Sequence, residues 1–401
     1  MIRLARAEKC TGCSLCANVC PVGAIDMVRN DDGFREPRID SKKCISCGQC
    51  VRSCPLLNGK MAKRPSMCYA ARSLDDDLRN RSSSGGVFGL LALETINNGG
   101  VVYGAAFDVR SQSVRHIRVD NIQNIDMLRG SKYVQSDISA AIFADLKSDV
   151  RQGVPVLFSG TPCQVAAIRS LLGDAIKGII LVDLVCHGVP SPTLFGKMLS
   201  EIKEGQNLDK IDTVTFRDKS KGWRNRELCI VSGGRNVVGV PSEIAYYGAF
   251  LDRLSIRKSC EDCMFNASRS GADITLGDFW GIEKVAPELD DNKGTSLVII
   301  NSEQGKKAFD RLRVEKKAID IESATKANPS YWGKHRSNPR RSKFLALARI
   351  VTISRAYKET SKGFILFQLF AKVRRRLMSI VGRFPNNSGV GFLRCKSKRS
   401  V

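Results

Sequence analysis

Between about residue 68 and residue 330, short apolar runs alternate with segments of helical period. VVYGAAF (101–107), VPVLFSG (154–160), GIILVDLVC (178–186), ADITLGDFWG (272–281) and TSLVIIN (295–301) are rich in β-branched residues and of strand length, so they predict strands. Residues 86–97, 136–147 and 164–171 place apolar positions three and four apart, which predicts helices. Strands alternating with helices predict an α/β or α+β body whose sheet is at least partly parallel. The pattern changes on either side. Residues 1–60 are short-ranged and cysteine-rich, and NGKMAKRPSM (58–67) reads as a polar linker. From Tyr331 onward the chain is basic, helical in period and poor in acids. Four regions follow: 1–60, 66–150, 151–330 and 331–401. The chain shows no low-complexity segment, and no internal repeat beyond a duplicated cysteine block.

Length and charge narrow the classes. A chain of 401 residues, 43% hydrophobic, is too long for a single small domain and can bury a proper core. No stretch approaches the roughly 18 consecutive apolar residues of a spanning helix. The formal charge of +24 suggests nucleic acid until it is located. Residues 331–401 hold 18 lysines and arginines against the single acid Glu359, a net +17, so the other 330 residues carry +7. Basicity confined to a tail differs from the basic folded face, interleaved with aromatics, of a nucleic-acid-binding protein, and no nucleic-acid partner is expected.

The duplicated block is CTGCSLCANVCP followed by CISCGQCVRSCP, each spaced Cys-x2-Cys-x2-Cys-x3-Cys-Pro. MIRLARAEK lacks the apolar stretch of an export signal, so a reducing, cytoplasmic setting is expected, where clustered thiols point to metal rather than disulfides. Structural zinc calls for four ligands in two pairs, which three closely spaced thiols fit poorly. Three thiolates on a looping backbone suit three irons of a cubane, and the fourth cysteine, followed by proline, reaches the other cluster. The predicted ligands are therefore Cys10, Cys13, Cys16 and Cys54 for one [4Fe-4S] cluster, and Cys44, Cys47, Cys50 and Cys20 for the other. Residues 1–60 resemble a bacterial two-cluster ferredoxin module.

Seven cysteines remain. A single buried cysteine is ordinarily a small core residue. Cys260 and Cys263, however, form a Cys-x2-Cys in SCEDCMF, while Cys163 (FSGTPCQVAA) and Cys186 (LVDLVCHGVPSP) lie just after predicted strands, where open α/β sheets bind ligands. These four would complete an all-thiolate shell for a third cluster. Spacing alone leaves zinc or unliganded thiols open.

The ordered set SSSGGVFGLLALETI (82–96), LRGSKYVQS (128–136), LFSGTPCQVAAIR (157–169), DLVCHGVPSP (183–192), CEDC (260–263), ADITLGDFWG (272–281) and KGTSLVIIN (293–301) resembles the coenzyme F420 (deazaflavin) hydrogenase/dehydrogenase beta-subunit family over about residues 66–325. The resemblance implies an iron-sulfur flavoprotein oxidoreductase binding FAD, with 66–150 as its flavin-binding region and 151–330 carrying a third [4Fe-4S] cluster on Cys163, Cys186, Cys260 and Cys263. It implies electron transfer between clusters and a two-electron acceptor, the deazaflavin coenzyme or another organic substrate, with a protein donor or acceptor as partner.

A Rossmann-type fingerprint is absent from the sequence. The small residues Ser83, Ser84, Gly85 and Gly86 open a predicted helix and would let backbone N–H groups approach a pyrophosphate, unless a serine simply caps the helix. In LRGSKYVQS, Lys132 offers a phosphate or pyrimidine partner, Tyr133 a stacking ring, and Gln135 and Ser136 hydrogen bonds; a solvated turn is the plain alternative. Gly160 and Thr161 adjoin Cys163. Asp278 and His187 are the candidate catalytic groups, Asp278 as a hydrogen-bonding partner and His187 as a proton donor titrating near neutrality or a supporting hydrogen bond. Trp280 would wall the pocket or serve as a core aromatic.

In SKGFILFQLFAKVRRRLMSIVGRF (361–384), Leu366, Phe370, Val373, Leu377, Val381 and Phe384 recur at helical spacing among Lys372, Arg374, Arg375, Arg376 and Arg383. Such a helix suits an anionic membrane surface, or packing on the body or a partner. Besides an enzyme, the sequence admits a non-catalytic subunit relaying electrons to another polypeptide, or a cluster-bearing nucleic-acid or scaffold protein recruited by its tail.

Overall fold

The structure, a computed structural model, describes residues 3–59, 67–173, 177–225, 227–333 and 337–361. Residues 1–357 form one compact unit and 358–401 a second.

The expected strands assemble into one eight-stranded sheet in the order Val314–Ala318, Met67–Ser73, Ser296–Ile300, Ile274–Asp278, Ile179–Leu184, Val156–Ser159, Val101–Asp108, Ser113–Val119. Its centre is parallel: Val101–Asp108, Val156–Ser159, Ile179–Leu184 and Ile274–Asp278 run the same way. The outer pairings are antiparallel. Successive strand side chains point to opposite faces. Val101, Tyr103, Val156 and Phe158 accordingly join one apolar layer with Ile142, Phe143, Val165 and Ile168 from the helices Ala140–Arg151 and Pro162–Leu172. Val102, Ala106 and Leu157 join the opposite layer with Val87, Leu91 and Phe309. Cover on both faces explains why these runs are apolar throughout rather than alternating.

A three-stranded sheet, Arg235–Val238, Glu227–Ser232 and Thr213–Asp218, packs with the helices Pro192–Gln206, Pro241–Leu251 and Arg341–Ile350 in a core of its own. This shifts the boundary expected at Tyr331. Tyr331, Phe344 and Leu345 are buried, as is Arg341, so residues 337–357 belong to the body. Of the amphipathic helix expected over 361–384, all but Ser361 lies outside the described residues. Among the described residues no helix is long and apolar enough to cross a membrane.

The cysteine-rich N-terminal lobe contains one antiparallel pair, Ile25–Arg29 with Arg35–Ile39. It is no loosely tethered domain. Leu15, from the first cysteine loop, is fully buried among Ile138, Ile142, Val165 and Ile168 of the body. Gly33, at φ +82, presses so closely on Thr193 that a Cβ would lie 2.4 Å from its hydroxyl. Truncating Leu15 to Ala is expected to cost about 2–5 kcal/mol, the usual range for a buried leucine. Urea unfolding of the anaerobic protein measures this.

Candidate cluster and cofactor sites

The two cysteine blocks cross over. Cys10, Cys13, Cys16 and Cys54 line one small pocket, and Cys20, Cys44, Cys47 and Cys50 line another. Tight left-handed turns make the loops possible: Gly12, Ser14, Ser46 and Gly48 all have positive φ. Backbone N–H groups turn toward sulfur, with Gly12 N 3.4 Å from Cys10 Sγ and Ala24 N 3.2 Å from Cys20 Sγ. Burial, reinforced by neighbouring thiols, pushes Cys13 and Cys16 up to about 12. Thiols so buried and so close ionise together only around a compensating cation. This suits an iron core.

The body repeats that arrangement. Cys163 begins the helix Pro162–Leu172, Cys186 follows the strand Ile179–Leu184, Cys260 lies within the short 3-10 turn Lys258–Asp262, and Cys263 caps its end. Burial pushes Cys163, Cys260 and Cys263 up to about 11, with another thiol of the four adding to each shift. Cys186 is raised by burial and then by Cys260, Cys163 and Cys263. Gly188 N lies 3.4 Å from Cys186 Sγ. Gly188 adopts φ +102, and a Cβ there would sit 3.1 Å from that of Cys260, so the loop closes this tightly only with glycine. Among the described residues no three Cys, His, Asp or Glu side chains crowd closely enough to hold a single ion. A cubane distributes its thiolates over four irons and holds them further apart than one ion does.

Beside these thiols, at the carboxyl ends of the parallel strands, lies a cavity of about 600 Å³. Ser83, Ser84, Gly86, Lys132, Tyr133, Ser136, Gly160, Thr161, His187 and Asp278 all line it, as do Cys186 and Trp280. The cap of the helix Val87–Asn97 is Gly86, at φ +87, with no side-chain hydrogen bond, so the plain reading of a serine cap does not hold. Ser83 instead ties the two predicted loops together, its Oγ accepting from Ser131 N at 2.6 Å. The Lys132 ammonium donates to the carbonyls of Met127 and Arg129 at 3.0 and 2.7 Å. Burial pushes this amine down to about 7.

Two of the expected cofactor contacts lie elsewhere. Gly85 N is bonded to Ser296 Oγ at 3.0 Å, and Gly85 packs against the Ala71 carbonyl. The Gln135 amide turns away from the cavity, donating to the Thr11 carbonyl at 3.0 Å and accepting from Arg257 at 3.2 Å. Each is held by a neighbour the sequence motif does not contain. Asp278, expected as a catalytic hydrogen-bonding partner, lines the cavity and pairs with Arg217 at 2.6 Å. Burial works against the Arg217 charge, but Asp278 outweighs it and raises the guanidinium's pKa. His187 Nδ1 lies 2.8 Å from Ser330 Oγ. Tyr133 meets Phe216, Tyr247 and Phe250 in an aromatic wall.

Sequence reasoning missed Arg217, Trp223 and Asp183. Trp223 stacks on Trp280 with centroids 4.6 Å apart, and Arg217 lies over the Trp280 ring at 5.4 Å. Arg217 and Trp223 both come from TFRDKSKGWRN, which carries no motif and no signal that would have singled them out. Asp183 is buried on the cavity wall and accepts from Ser270 Oγ at 2.6 Å. Burial pushes its carboxyl up to about 7. An acid raised on folding binds its proton more tightly in the native state, so stability falls as pH rises from about 4 and levels off above about 7. Asp183→Asn is expected to abolish that decline, which chemical denaturation between pH 5 and pH 8 measures.

Residues 9–57 match the family model described as 4Fe-4S dicluster domain. Residues 154–327 match the model for the C terminus of the beta subunit of coenzyme F420 hydrogenase/dehydrogenase. No curated protein matches the chain. Among solved structures, a chain of the F420-reducing [NiFe] hydrogenase complex from Methanosarcina barkeri is similar at 18% identity and a TM-score of 0.43, over 74% of this chain and 93% of that one.

Proposed function

From a chain whose residues 9–57 belong to the 4Fe-4S dicluster domains and whose residues 154–327 belong to the C-terminal domains of the beta subunits of coenzyme F420 hydrogenases and dehydrogenases, we propose an iron-sulfur flavoenzyme. It passes electrons between ferredoxin-type clusters and a two-electron acceptor, the deazaflavin coenzyme or another organic substrate. One observation carries the reading: Cys186 belongs both to the wall of the large cavity and to the four-thiol group, and the first ferredoxin loop adjoins that group.

Cys10, Cys13, Cys16 and Cys54 would hold the inner ferredoxin cluster, and Cys20, Cys44, Cys47 and Cys50 the outer one, where Cys47 is exposed to a protein partner. Cys163, Cys186, Cys260 and Cys263 would hold a third. The cavity would take FAD, whose chemistry is the exchange of single electrons for a hydride equivalent. The uncapped first turn after Gly86 offers amides to its pyrophosphate, with Ser83, Ser84 and Lys132 alongside. Gly160 and Thr161 hold the helix of Cys163 against the cavity, Thr161 Oγ1 lying 3.2 Å from Cys163 Sγ. The stacked tryptophans and Tyr133 exclude water, and Arg217 fixes Asp278 at the cavity wall. His187, held by Ser330, is the candidate proton donor on that wall. Thiolate-held clusters suit a reducing compartment, the cytoplasm.

The test is turnover. Anaerobic protein reduced by dithionite is expected to lose its yellow colour and to reduce free deazaflavin without another polypeptide. Bleaching without turnover until a partner enzyme is added would instead identify an electron relay.

A further inference from the structure

Arg257 is 3% exposed, yet among the described residues it has no carboxylate partner. Its donors meet neutral acceptors: Nε to the Cys10 carbonyl at 2.8 Å, Nη2 to the Arg35 carbonyl at 2.9 Å, and Nη1 to Gln135 Oε1 at 3.2 Å. The guanidinium also lies over the Phe34 ring at 5.3 Å. The neighbouring Arg341 makes the contrast plain, since its charge is matched by Asp32 at 2.9 Å. A buried, unmatched cation is costly, and proteins tolerate one where an anion faces it.

Its position shows which anion. The Arg257 backbone is stitched to both thiol loops of the body, its N–H bonded to the Val189 carbonyl at 2.9 Å and its carbonyl accepting from Cys260 N at 3.0 Å. At its tip it touches the first ferredoxin loop. Gly12, at φ +67, is packed so that a Cβ would lie 2.8 Å from Arg257 Nη1. Arg257 lies close enough to Cys163 and Cys260 for its charge to act on both sulfurs. A cubane with four thiolates is a net anion and becomes more so on reduction, so a fixed cation beside it raises its reduction potential.

Resting on the three-cluster reading above, we propose that Arg257 is a positioning residue that bridges the cluster of Cys10, Cys13, Cys16 and Cys54 to that of Cys163, Cys186, Cys260 and Cys263. It docks the lobe by two hydrogen bonds, to the Cys10 and Arg35 carbonyls, with a third to Gln135 of the body, and raises both potentials. The inner ferredoxin cluster thereby becomes the exit: each electron leaving it oxidises that cluster and reduces the body cluster. The outer cluster, beyond the reach of Arg257, keeps its own potential.

Redox titration of the full-length anaerobic protein, followed by electron paramagnetic resonance, tests this. In Arg257→Gln the inner ferredoxin and body clusters should each become at least tenfold harder to reduce at a fixed potential, about 59 mV for a one-electron couple. The outer cluster should not move. Arg257→Lys, which keeps the charge, should retain both potentials to well within that shift. Loss of iron from Arg257→Gln but not from Arg257→Lys would also support the bridge, because charge is what separates the two variants. Unmoved potentials with full iron, equal shifts in both variants, or iron loss from both would overturn it. Twelve irons with unmoved potentials would end the bridge alone, whereas about eight irons in the parent protein would end the three-cluster reading and the bridge with it.

Discussion

Cys260→Ala is expected to lower bound iron from about twelve to about eight per chain while flavin and both ferredoxin clusters remain. Cys260 is the ligand to choose because it belongs to the body's thiol group but does not line the large cavity, unlike Cys186. Flavin binding therefore survives the change. Electron flow does not. With the body cluster gone, the ferredoxin lobe still docks through Leu15 and Arg257, but the intermediate station between it and the cavity is missing. Bleaching of the yellow chromophore by electrons entering at the ferredoxin lobe should slow by at least about a hundredfold, and rapid-mixing absorbance reads that rate. Retention of about twelve irons in the variant would remove Cys260 from the ligand set.

The second large effect concerns stability. Arg217 and Asp278 are an ion pair with the guanidinium only 3% exposed and the carboxylate 15% exposed. Trp223 Nε1 adds a weak hydrogen bond to the same carboxylate at 3.4 Å, and the Trp223 carbonyl accepts from Arg217 at 3.2 Å. Asp278→Ala leaves the arginine charged and buried, and is expected to cost about 3–5 kcal/mol. The double replacement Arg217→Met with Asp278→Leu removes both charges and should recover most of that loss. Denaturant unfolding of the three proteins measures the pattern; a single replacement as mild as the double one would contradict it.

What the sequence makes legible follows from where its constraints are local. The cysteine blocks are readable because the ligand loops are built within seven residues each, and their crossing is implied by the Cys-Pro ends. The five central strands are readable because burial on both faces keeps them apolar throughout. Met67–Ser73, Ser113–Val119 and Val314–Ala318 escape notice because edge positions, or pairing with an edge, permit arginine, lysine and serine in the strand. VEKKA has only Val314 half-buried, so its strand exists through pairing with Met67–Ser73 and not through its own pattern.

The same division runs through the site. Serine, glycine and lysine near one another in SSSGG and LRGSKY could be placed on the cavity because the loops are short and the strand ends fix them. Gly85 and Gln135 could not be excluded, since what withdraws them is Ser296 in one case and the ferredoxin lobe in the other, both far away in sequence. Arg217 and Arg257 lie in segments without a motif. Their significance is a burial and a missing or matching charge, which only the folded chain displays. The basic residues at 337–357 read as tail because helical period and positive charge are common to tails and to exposed helix faces; Phe344 and Leu345 decide the matter by packing on the three-stranded sheet.

The most direct measurement is iron, sulfide and flavin analysis on anaerobically isolated protein. Three thiolate-held cubanes wired to one isoalloxazine predict about twelve irons, about twelve sulfides and one FAD per chain. A preparation with about eight irons would contradict the third cluster, and one without any flavin would contradict the conversion of single electrons to a hydride equivalent in the large cavity.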